Sequence, residues 1–521
     1  MKKSSLFTLF ICCLAGPALL FGQVITSAQI DVLAERTLKT FDVPGIAVAV
    51  IKDGKVIHSK GYGARSLKTQ QKVDENTLFG IASISKAFTT ASLGILMDEG
   101  KLKWDDKVID YIPEFRMYSP YVTEEFTIRD LLTHRSGLGL GAGDLLFWPD
   151  SSDFKVEDVI HGLRYLKPVS GFRTKYDYDN LLYIVAGEVV TRVSGKSWEA
   201  FVEERILQPL EMKQSAANWF RLKDASNAID GHCPVNGKVQ VIRRDMSATF
   251  RGAAGIYSSI ADLSKWAIVQ MHKGKYGEGL TRQLFSEAVH RDMWTPQTIQ
   301  QVSSTPPYNQ HFAAYGLGWG LTDVKGYKQV SHTGGLVGMV TQMILLPELQ
   351  LGIIVLTNQQ SSSAFNAIST TIKDSYLGIP ATDRVKQFSE ISKTRQAEAD
   401  KITEQVWNTI AAARNNISAK PDLSVFEGIY KDDWFGEIVI SEKNGNLRWQ
   451  SRRSPRMKGT IELYKGSTLI VKWDDRSFDA DAFITFQLDA NGKAENFKMK
   501  AISPLTDFSF DFHDLEPKRV K

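Results

Sequence analysis

Residues 79–100 read FGIASISKAFTTASLGILMDEG and combine an apolar helix with a serine and a lysine at its start. The apolar residues recur at helical spacing and the segment ends on Gly100, a residue that stops helices. Ser83 then lies at the helix N-terminus, with Lys86 one turn later on the same side. A lysine entering an apolar helix is partly desolvated, which favours the neutral amine. A neutral amine beside a hydroxyl group is a general base beside a nucleophile.

The same S-x-x-K spacing occurs again at Ser152–Lys155, and the spacing alone is a weak signal. This second tetrad follows Pro149-Asp150 and precedes VEDVIHGLRYL. We interpret Ser152 as a helix N-cap followed by acidic first-turn residues. Context therefore favours Ser83 and Lys86 as the reactive pair. The alternative for this pair is purely structural: Ser83 would be an N-cap residue and Lys86 a surface lysine.

Two further segments carry side chains that suit a substrate cleft. Tyr178 and Asn180 lie two residues apart on a turn before the apolar helix LLYIVAGEVVTRVSG, so both can point into one cleft. Small residues at the start of a late strand would let a substrate lie against its backbone. Taken singly, each segment also fits a purely structural turn. The late segment, QVSHTGGLVGM, contains His332, Thr333, Gly334 and Gly335.

Strand patterns lie at both ends of the first 380 residues. Residues 45–63, GIAVAVIKDGKVIHSKGYG, hold two alternating apolar runs around Asp53-Gly54, which predicts a hairpin. LVGMVTQMILLPE and LQLGIIVLTN form a later pair hinged near Pro347. The patterns between them are mostly helical. This order predicts an α+β fold, in which an antiparallel sheet is flanked by helices and interrupted by a helical insertion.

The last 140 residues have a different pattern. Residues 381–424 are charged and helix-prone, which predicts a helical connector. Residues 425–521 alternate with period two and contain the hairpin turns Asn444-Gly445 and Asn491-Gly492, so they predict a small all-β barrel. The candidate strands are Trp434–Glu442, Leu447–Ser451, Ile461–Tyr464, Thr468–Trp473, Phe483–Leu488, Glu495–Lys500 and Asp507–Phe512.

Together and in this order, these motifs resemble the serine β-lactamase and penicillin-binding-protein superfamily. The most similar branch is the group of class C β-lactamases, D-aminopeptidases and β-lactamase-like esterases. The resemblance covers about residues 30–380, which makes 24–380 the expected hydrolase domain. The tail is similar to the lipocalin-like domain that follows some secreted members. Supporting segments are LLTHRSGL at 131–138, AAGIYSSIADLSKW at 253–266, YGLGWG at 315–320, and HTGGLVG, LLPE and LGIIVLTN within 332–358.

The resemblance implies acyl transfer to serine followed by hydrolysis, without a metal or another cofactor. Ser83 matches the nucleophile and Lys86 the base that activates it. Tyr178 matches the tyrosine that relays protons to the leaving group, and Asn180 the amide that binds the acyl side of the substrate. The backbone N–H groups of Ser83 and Gly335 would form the oxyanion hole. Thr333 and Gly334 complete the expected substrate-binding strand.

His332 departs from the family pattern: at the matching position, class C β-lactamases and D,D-carboxypeptidases have lysine. Histidine has an ordinary pKa of about 6.5, so it is mostly neutral at pH 7 and would gain charge toward pH 6. A weaker anchor for a substrate carboxylate favours a peptidase, with peptides of D-residues among its substrates, or an esterase. A β-lactamase or D,D-carboxypeptidase is the enzymatic alternative. A non-catalytic penicillin-binding-like sensor is the alternative of another class, and the barrel could hold an apolar ligand or serve only as a packing module. We expect His134 to be structural.

Composition and the N-terminus limit the cell compartment and the partners. The 521 residues are 43% hydrophobic and 23% charged, as in ordinary globular proteins. A formal net charge of +4 offers no basic field for nucleic acid. Two lysines and a short apolar run predict a signal peptide over residues 1–23, with a membrane anchor as the alternative. Removal of that peptide leaves Cys233 as the one cysteine, so we expect an exported protein, periplasmic or secreted, without an intramolecular disulfide. Its substrate would be a small molecule or peptide, and the sequence is silent on oligomeric state.

Overall fold

The computed structural model describes residues 24–302, 305–415 and 422–520. The predicted signal peptide lies outside these residues, as does a short part of the predicted connector. None of the helices in the described ranges is long and apolar enough to cross a membrane.

The helices follow in chain order as α1 Ser27–Phe41, α2 Ser85–Asp98, α3 Val108–Tyr111, α4 Pro120–Glu125, α5 Val156–Gly162, α6 Leu181–Ser194, α7 Trp198–Val202, α8 Arg251–Ala254, α9 Ile260–Met271, α10 Glu287–Met293, α11 Ser362–Tyr376 and α12 Arg384–Asn415. The strands of the first domain are β1 Gly45–Lys52, β2 Lys55–Gly63, β3 Phe79–Gly80, β4 His232–Val235, β5 Lys238–Val241, β6 Tyr257–Ser258, β7 Lys275–Tyr276, β8 Arg282–Gln283, β9 Thr298–Gln300, β10 Ala313–Tyr315, β11 Gly320–Val324, β12 Tyr327–Leu336, β13 Met339–Leu346 and β14 Leu351–Thr357.

The central sheet is antiparallel, and its described strands lie in the order β2-β1-β14-β13-β12-β11-β10-β9. The predicted hairpin is confirmed, because β1 pairs with β2 across the turn at Asp53-Gly54. β1 also pairs with β14, with Ile46 opposite Thr357, so distant parts of the chain meet in the middle of the sheet. Both faces of the sheet are covered: α1 and α11 pack on one face, and the helical insertion lies on the other. The predicted α+β class is confirmed.

Helix α2 is the centre of the helical insertion. Every residue from Ser85 to Leu96 is buried, including Lys86. A helix that is buried on all sides has no solvated stripe, which matches the apolar character of its sequence. It packs against α6 and α8, and the 3-10 turn that precedes it, Ala82–Ile84, lies beside β12. The start of α2 is therefore fixed between the helices and the central sheet.

The all-β barrel predicted for the tail is also confirmed. Within residues 422–520 the strands close in the order β15 to β22. The last strand is only two residues long, and it closes the barrel by pairing with β15 and β21. The strands are β15 Gly428–Asp432, β16 Gly436–Lys443, β17 Asn446–Ser451, β18 Lys458–Lys465, β19 Thr468–Trp473, β20 Ala482–Leu488, β21 Ala494–Ala501 and β22 Lys518–Arg519.

The strand predicted at Asp507–Phe512 was wrong. This segment is a chain of turns that leads into a 3-10 helix at Phe512–Asp514. The Asp507 carboxylate accepts a hydrogen bond from the Ser509 backbone N–H at 2.9 Å, a local bond that competes with strand pairing. Phe510 is buried in the barrel core, whereas Phe508 is partly exposed. We refer to residues 507–511 as the barrel loop.

The barrel is held on the first domain by buried charges. Arg456 of the barrel forms salt bridges with Asp150 and Asp245, two carboxyl groups that are almost fully buried. The interpretation of Ser152 as an N-cap was wrong, since α5 begins at Val156 and Lys155 is its N-cap residue. The second S-x-x-K tetrad is part of the contact between barrel and first domain.

Candidate active site

Ser83 lies in a single 3-10 turn, Ala82–Ile84, that leads into α2. The preceding residue, Ala82, has φ 48°, a left-handed conformation that is costly for a residue with a side chain. Strand β12 holds this turn in place by crossing it at close range. A Cβ atom on Gly334 would lie 2.3 Å from the Ile81 carbonyl oxygen and 3.0 Å from the Ala82 Cβ. Gly334 therefore packs against the serine turn and does not line the cleft, although the sequence placed it in the expected substrate-binding strand.

Lys86 is fully buried, and its Nζ makes three hydrogen bonds. The partners are Ser83 Oγ at 3.1 Å, Asn180 Oδ1 at 2.7 Å and the Ala253 carbonyl oxygen at 3.1 Å. Burial lowers the pKa of Lys86 from 10.5 to about 7, although the nearby Asp144 and Asp179 carboxyl groups act in the opposite direction. A neutral amine has two N–H donors and one lone pair. With the two carbonyl oxygens taking the N–H donors, the lone pair faces the Ser83 hydroxyl.

Tyr178 stands beside this pair. Its ring centroid is 4.8 Å from Lys86 Nζ. Burial raises the pKa of Tyr178 well above its ordinary value, and a hydrogen bond with Ser83 partly offsets that effect. The phenol therefore keeps its proton through the neutral range and can donate it. His134 packs against the phenol ring with centroids 4.2 Å apart, and burial lowers the pKa of His134 well below its usual range.

Both ends of the Asn180 amide bond to protein partners. Its Oδ1 accepts from Lys86, and its Nδ2 donates to Asp144 Oδ2 at 2.8 Å. Burial raises the pKa of Asp144 well above the ordinary value for aspartate. Asn180 borders the cleft, but in this arrangement it orients the lysine. Sequence reasoning missed Asp144, and the available signal was an acidic residue inside the apolar run GLGAGDLLFW.

His332 is buried in β12 and stays neutral. The Thr333 carbonyl oxygen is 2.6 Å from Nδ1 and can only accept, so Nδ1 carries the proton. Nε2 is then free to accept from the Tyr315 hydroxyl at 2.9 Å. Burial, together with the positive field of Lys86, lowers the pKa of His332 to about 3. The expectation that this histidine gains charge near pH 6 was wrong, because burial keeps the ring neutral. That burial comes from residues distant in the sequence.

These residues meet in one cleft, a cavity of about 380 Å³. The structure brings six of the predicted site residues to its lining: Ser83, Tyr178, Asn180, His332, Thr333 and Gly335. A Cβ on Gly335 would meet nothing within 4 Å, so this part of β12 faces open space. The barrel loop also lines the cleft, through Asp507, Phe508 and Ser509. Sequence reasoning missed this contribution.

A serine turn between helices and an antiparallel sheet, with a buried lysine and a tyrosine beside the hydroxyl, defines the β-lactamase class of proteins. The β-lactamase family model matches residues 31–375, and the chain belongs to that family. The resemblance to the serine β-lactamase and penicillin-binding-protein superfamily is confirmed. A second model, a domain of unknown function named DUF3471, matches residues 412–519.

Curated relatives are similar at low identity. A protein named unguisins hydrolase from Aspergillus violaceofuscus is 28% identical over 467 residues, which cover 83% of this chain and 80% of the relative. A second unguisins hydrolase, from Aspergillus campestris, is 28% identical over 359 residues, 64% of this chain and 62% of the relative. Protein flp from Staphylococcus aureus is 26% identical over 343 residues, 64% of this chain and 63% of the relative. The match therefore spans less than two thirds of the last two relatives.

Two solved structures share the fold. The octameric penicillin-binding protein homologue from Pyrococcus abyssi superimposes with a TM-score of 0.60 at 19% identity, covering 95% of this chain and all of that one. A class C β-lactamase superimposes with a TM-score of 0.54 at 21% identity, covering 68% of this chain and 96% of that one.

Proposed function

We propose that this protein is an exported serine hydrolase that cleaves small peptides, including peptides with D-residues, or esters through an acyl-enzyme. The observation that carries the proposal is the orientation of Lys86. Its Nζ lies 3.1 Å from Ser83 Oγ, and its other two partners are the carbonyl oxygens of Asn180 and Ala253, which can only accept. A hydroxyl with a buried neutral amine at this distance is an activated nucleophile.

The reaction follows from this geometry. Ser83 Oγ bonds to the substrate carbonyl carbon while Lys86 Nζ takes the hydroxyl proton. When the tetrahedral intermediate collapses, the bond to the leaving group breaks and the leaving group takes a proton from Tyr178. The proton on Lys86 restores the phenol. Water then attacks the acyl-serine and releases the acid and the free hydroxyl, so the sum is hydrolysis of one ester or amide bond.

The charge of the cleft supports neutral substrates. Among the described residues that line it, none is lysine or arginine, and His332 is neutral. A carboxylate, such as that of a penicillin or a terminal D-Ala-D-Ala, would have no cationic partner there, and an unpaired buried charge is costly. We therefore place peptidase or esterase activity before β-lactamase or D,D-carboxypeptidase activity. A non-catalytic sensor has no need of a lysine lone pair directed at serine.

The remaining parts of the proposal rest on the sequence. The signal-like residues 1–23 and the single cysteine of the following chain support export to the periplasm or the exterior. We propose residues 24–380 as the hydrolase domain, 381–424 as a helical connector and 425–521 as the barrel domain. The named hydrolase activity of the Aspergillus relatives supports hydrolysis as the reaction class.

The test is covalent labelling of the active serine. A fluorophosphonate probe should modify Ser83, as mapped by mass spectrometry, and Ser83→Ala should abolish the adduct. Ser152→Ala is the matched control, because Ser152 has the same S-x-x-K spacing but lies outside the cleft. Persistent labelling of folded Ser83→Ala would refute the assignment. Turnover of an ester, a D-aminoacyl amide, a D-Ala-D-Ala peptide and a cephalosporin then ranks the substrate classes.

A further inference from the structure

The barrel loop forms one wall of the cleft with an apolar side chain. Phe508 is 39% exposed although it lies in the interior of the cleft, and its ring makes an edge contact with Tyr178 at a centroid distance of 5.9 Å. Leu140, from the first domain, stands beside it and is 46% exposed. Two exposed apolar side chains at the same wall are available for contact with a substrate.

This wall is fixed by bonds that cross between the two domains. Ser509 Oγ donates to Asp144 Oδ2 at 2.8 Å, and the Gly143 backbone N–H donates to Asp511 Oδ2 at 2.5 Å. Gly141 lies so close that a Cβ atom there would be 2.7 Å from the Phe508 ring. The barrel loop is therefore anchored by Ser509 and Asp511, just after Phe508, and the Phe508 ring packs between Gly141 and Tyr178 at the cleft wall.

A second cavity, of about 540 Å³, lies on the other side of the same wall. It shares Leu140, Asp507 and Phe508 with the catalytic cleft. Beyond the wall it is bounded by the barrel and by Ile402 of α12, another exposed apolar side chain. The side chains of Phe508 and Leu140 are thus part of the boundary that the two cavities share.

We propose that Phe508 is a specificity-determining residue that limits the length of the apolar group a substrate can present. The inference rests on the proposed function, since it assigns the substrate selection of the same site. In the wild-type protein the ring ends the catalytic cleft and favours short groups. Removal of the ring joins the cleft to the second cavity, which then accommodates an extended alkyl or apolar peptide side chain.

The test compares ester chain lengths in three variants. One series of p-nitrophenyl esters lengthens the acyl chain from butyrate to decanoate, and a second series lengthens the alcohol of an acetate ester. Phe508→Ala should raise the ratio of kcat/KM for long over short chains at least about tenfold in one series, because even a single methylene can be worth that much in an apolar pocket. The series that responds identifies the side of the scissile bond that faces Phe508. Phe508→Trp should lower the same ratio.

The controls separate this inference from the proposed function. Phe220 is exposed and lines neither cavity, so Phe220→Ala should keep the wild-type ratio. Melting temperatures show that each variant is folded. Ratios that stay flat in both series, with Ser83 still labelled by fluorophosphonate, would overturn the role of Phe508 alone. Failure of the wild-type protein to label at Ser83 would instead overturn the proposed function.

Discussion

The rate of acylation should titrate with the amine of Lys86. Burial lowers the pKa of this group from 10.5 to about 7. The base is the neutral amine, so the acylation rate falls as pH drops through 7 and reaches its plateau above that pH. Neutral lysine makes up about one eleventh of the population at pH 6 and about ten elevenths at pH 8, which gives about a tenfold rise in rate. An ordinary amine would give about a hundredfold rise over the same interval, with no plateau.

Other titrating groups near the lysine should leave this profile intact or shift it in a defined direction. His332 has its pKa at about 3 and Tyr178 far above the neutral range, so neither changes charge between pH 6 and 8. Burial raises the pKa of Asp179 to about 7, and its negative charge raises the pKa of Lys86. Asp179→Asn removes that charge and should move the midpoint of the profile to lower pH. Asp144 acts on Lys86 with the same sign.

The assay is the inactivation rate with a fluorophosphonate, which reports acylation without deacylation, from about pH 5.5 to 9.5 at constant ionic strength. Lys86→Arg keeps the positive charge but cannot release a proton, so the plateau rate should fall by about 10²–10⁴-fold. A midpoint above pH 9 in the wild-type protein would refute the buried neutral lysine. So would a folded Lys86→Arg variant that inactivates at nearly the wild-type rate.

Three further substitutions test the frame of the site. Gly334→Ala should lower the melting temperature and the labelling rate, because the new methyl group would lie 2.3 Å from the Ile81 carbonyl oxygen. Gly335→Ala is the control: its methyl group would meet no atom within 4 Å, so this variant should fold normally. Arg456→Ala removes the cationic partner of the buried Asp245 carboxyl group and should reduce the free energy of unfolding at pH 7 by about 3–5 kcal/mol in urea titrations. The loss should be smaller at pH 5, because burial raises the pKa of Asp245 to about 7 and the group is protonated there. His332→Lys should raise kcat/KM for a cephalosporin relative to kcat/KM for an uncharged ester. In the wild-type protein the ratio of these two values should not change between pH 6 and 8. A ratio that changes with pH would contradict a neutral His332.

The features predicted from the sequence are those with a local cause. The hairpin at residues 45–63 has its own turn and its own alternating pattern, and the helix after Ser83 has its own apolar periodicity and stop. The spacing of Ser83 and Lys86 is likewise local, since one turn of helix brings them together. Tyr178 and His332 are distant in sequence; local patterns marked their segments only as possible cleft turns, and the family resemblance supplied their roles.

The features that were missed depend on long-range packing. The desolvation that neutralises His332 comes from residues that surround β12, and no property of QVSHTGGLVGM reveals it. The error at Asp507–Phe512 has the same origin. Its alternating phenylalanines fit a strand, but the aspartates and the serine between them bond to backbone and to the first domain. An alternating pattern predicts which side chains would point to opposite faces of a strand, but it does not identify the groups that those side chains contact.

The buried state of Asp144 connects the barrel to the chemistry of the lysine. Its Oδ2 accepts from Asn180 on one side and from Ser509 of the barrel loop on the other, so the barrel covers this carboxyl group. Burial raises the pKa of Asp144 well above its ordinary value, which favours the neutral acid. An ionised Asp144 would raise the pKa of Lys86 and reduce the fraction of neutral base at pH 7. The barrel loop therefore acts on the lysine through Asp144 with two opposing contributions: burial raises the pKa of Asp144, and the Ser509 hydrogen bond lowers it. The first contribution is the larger one.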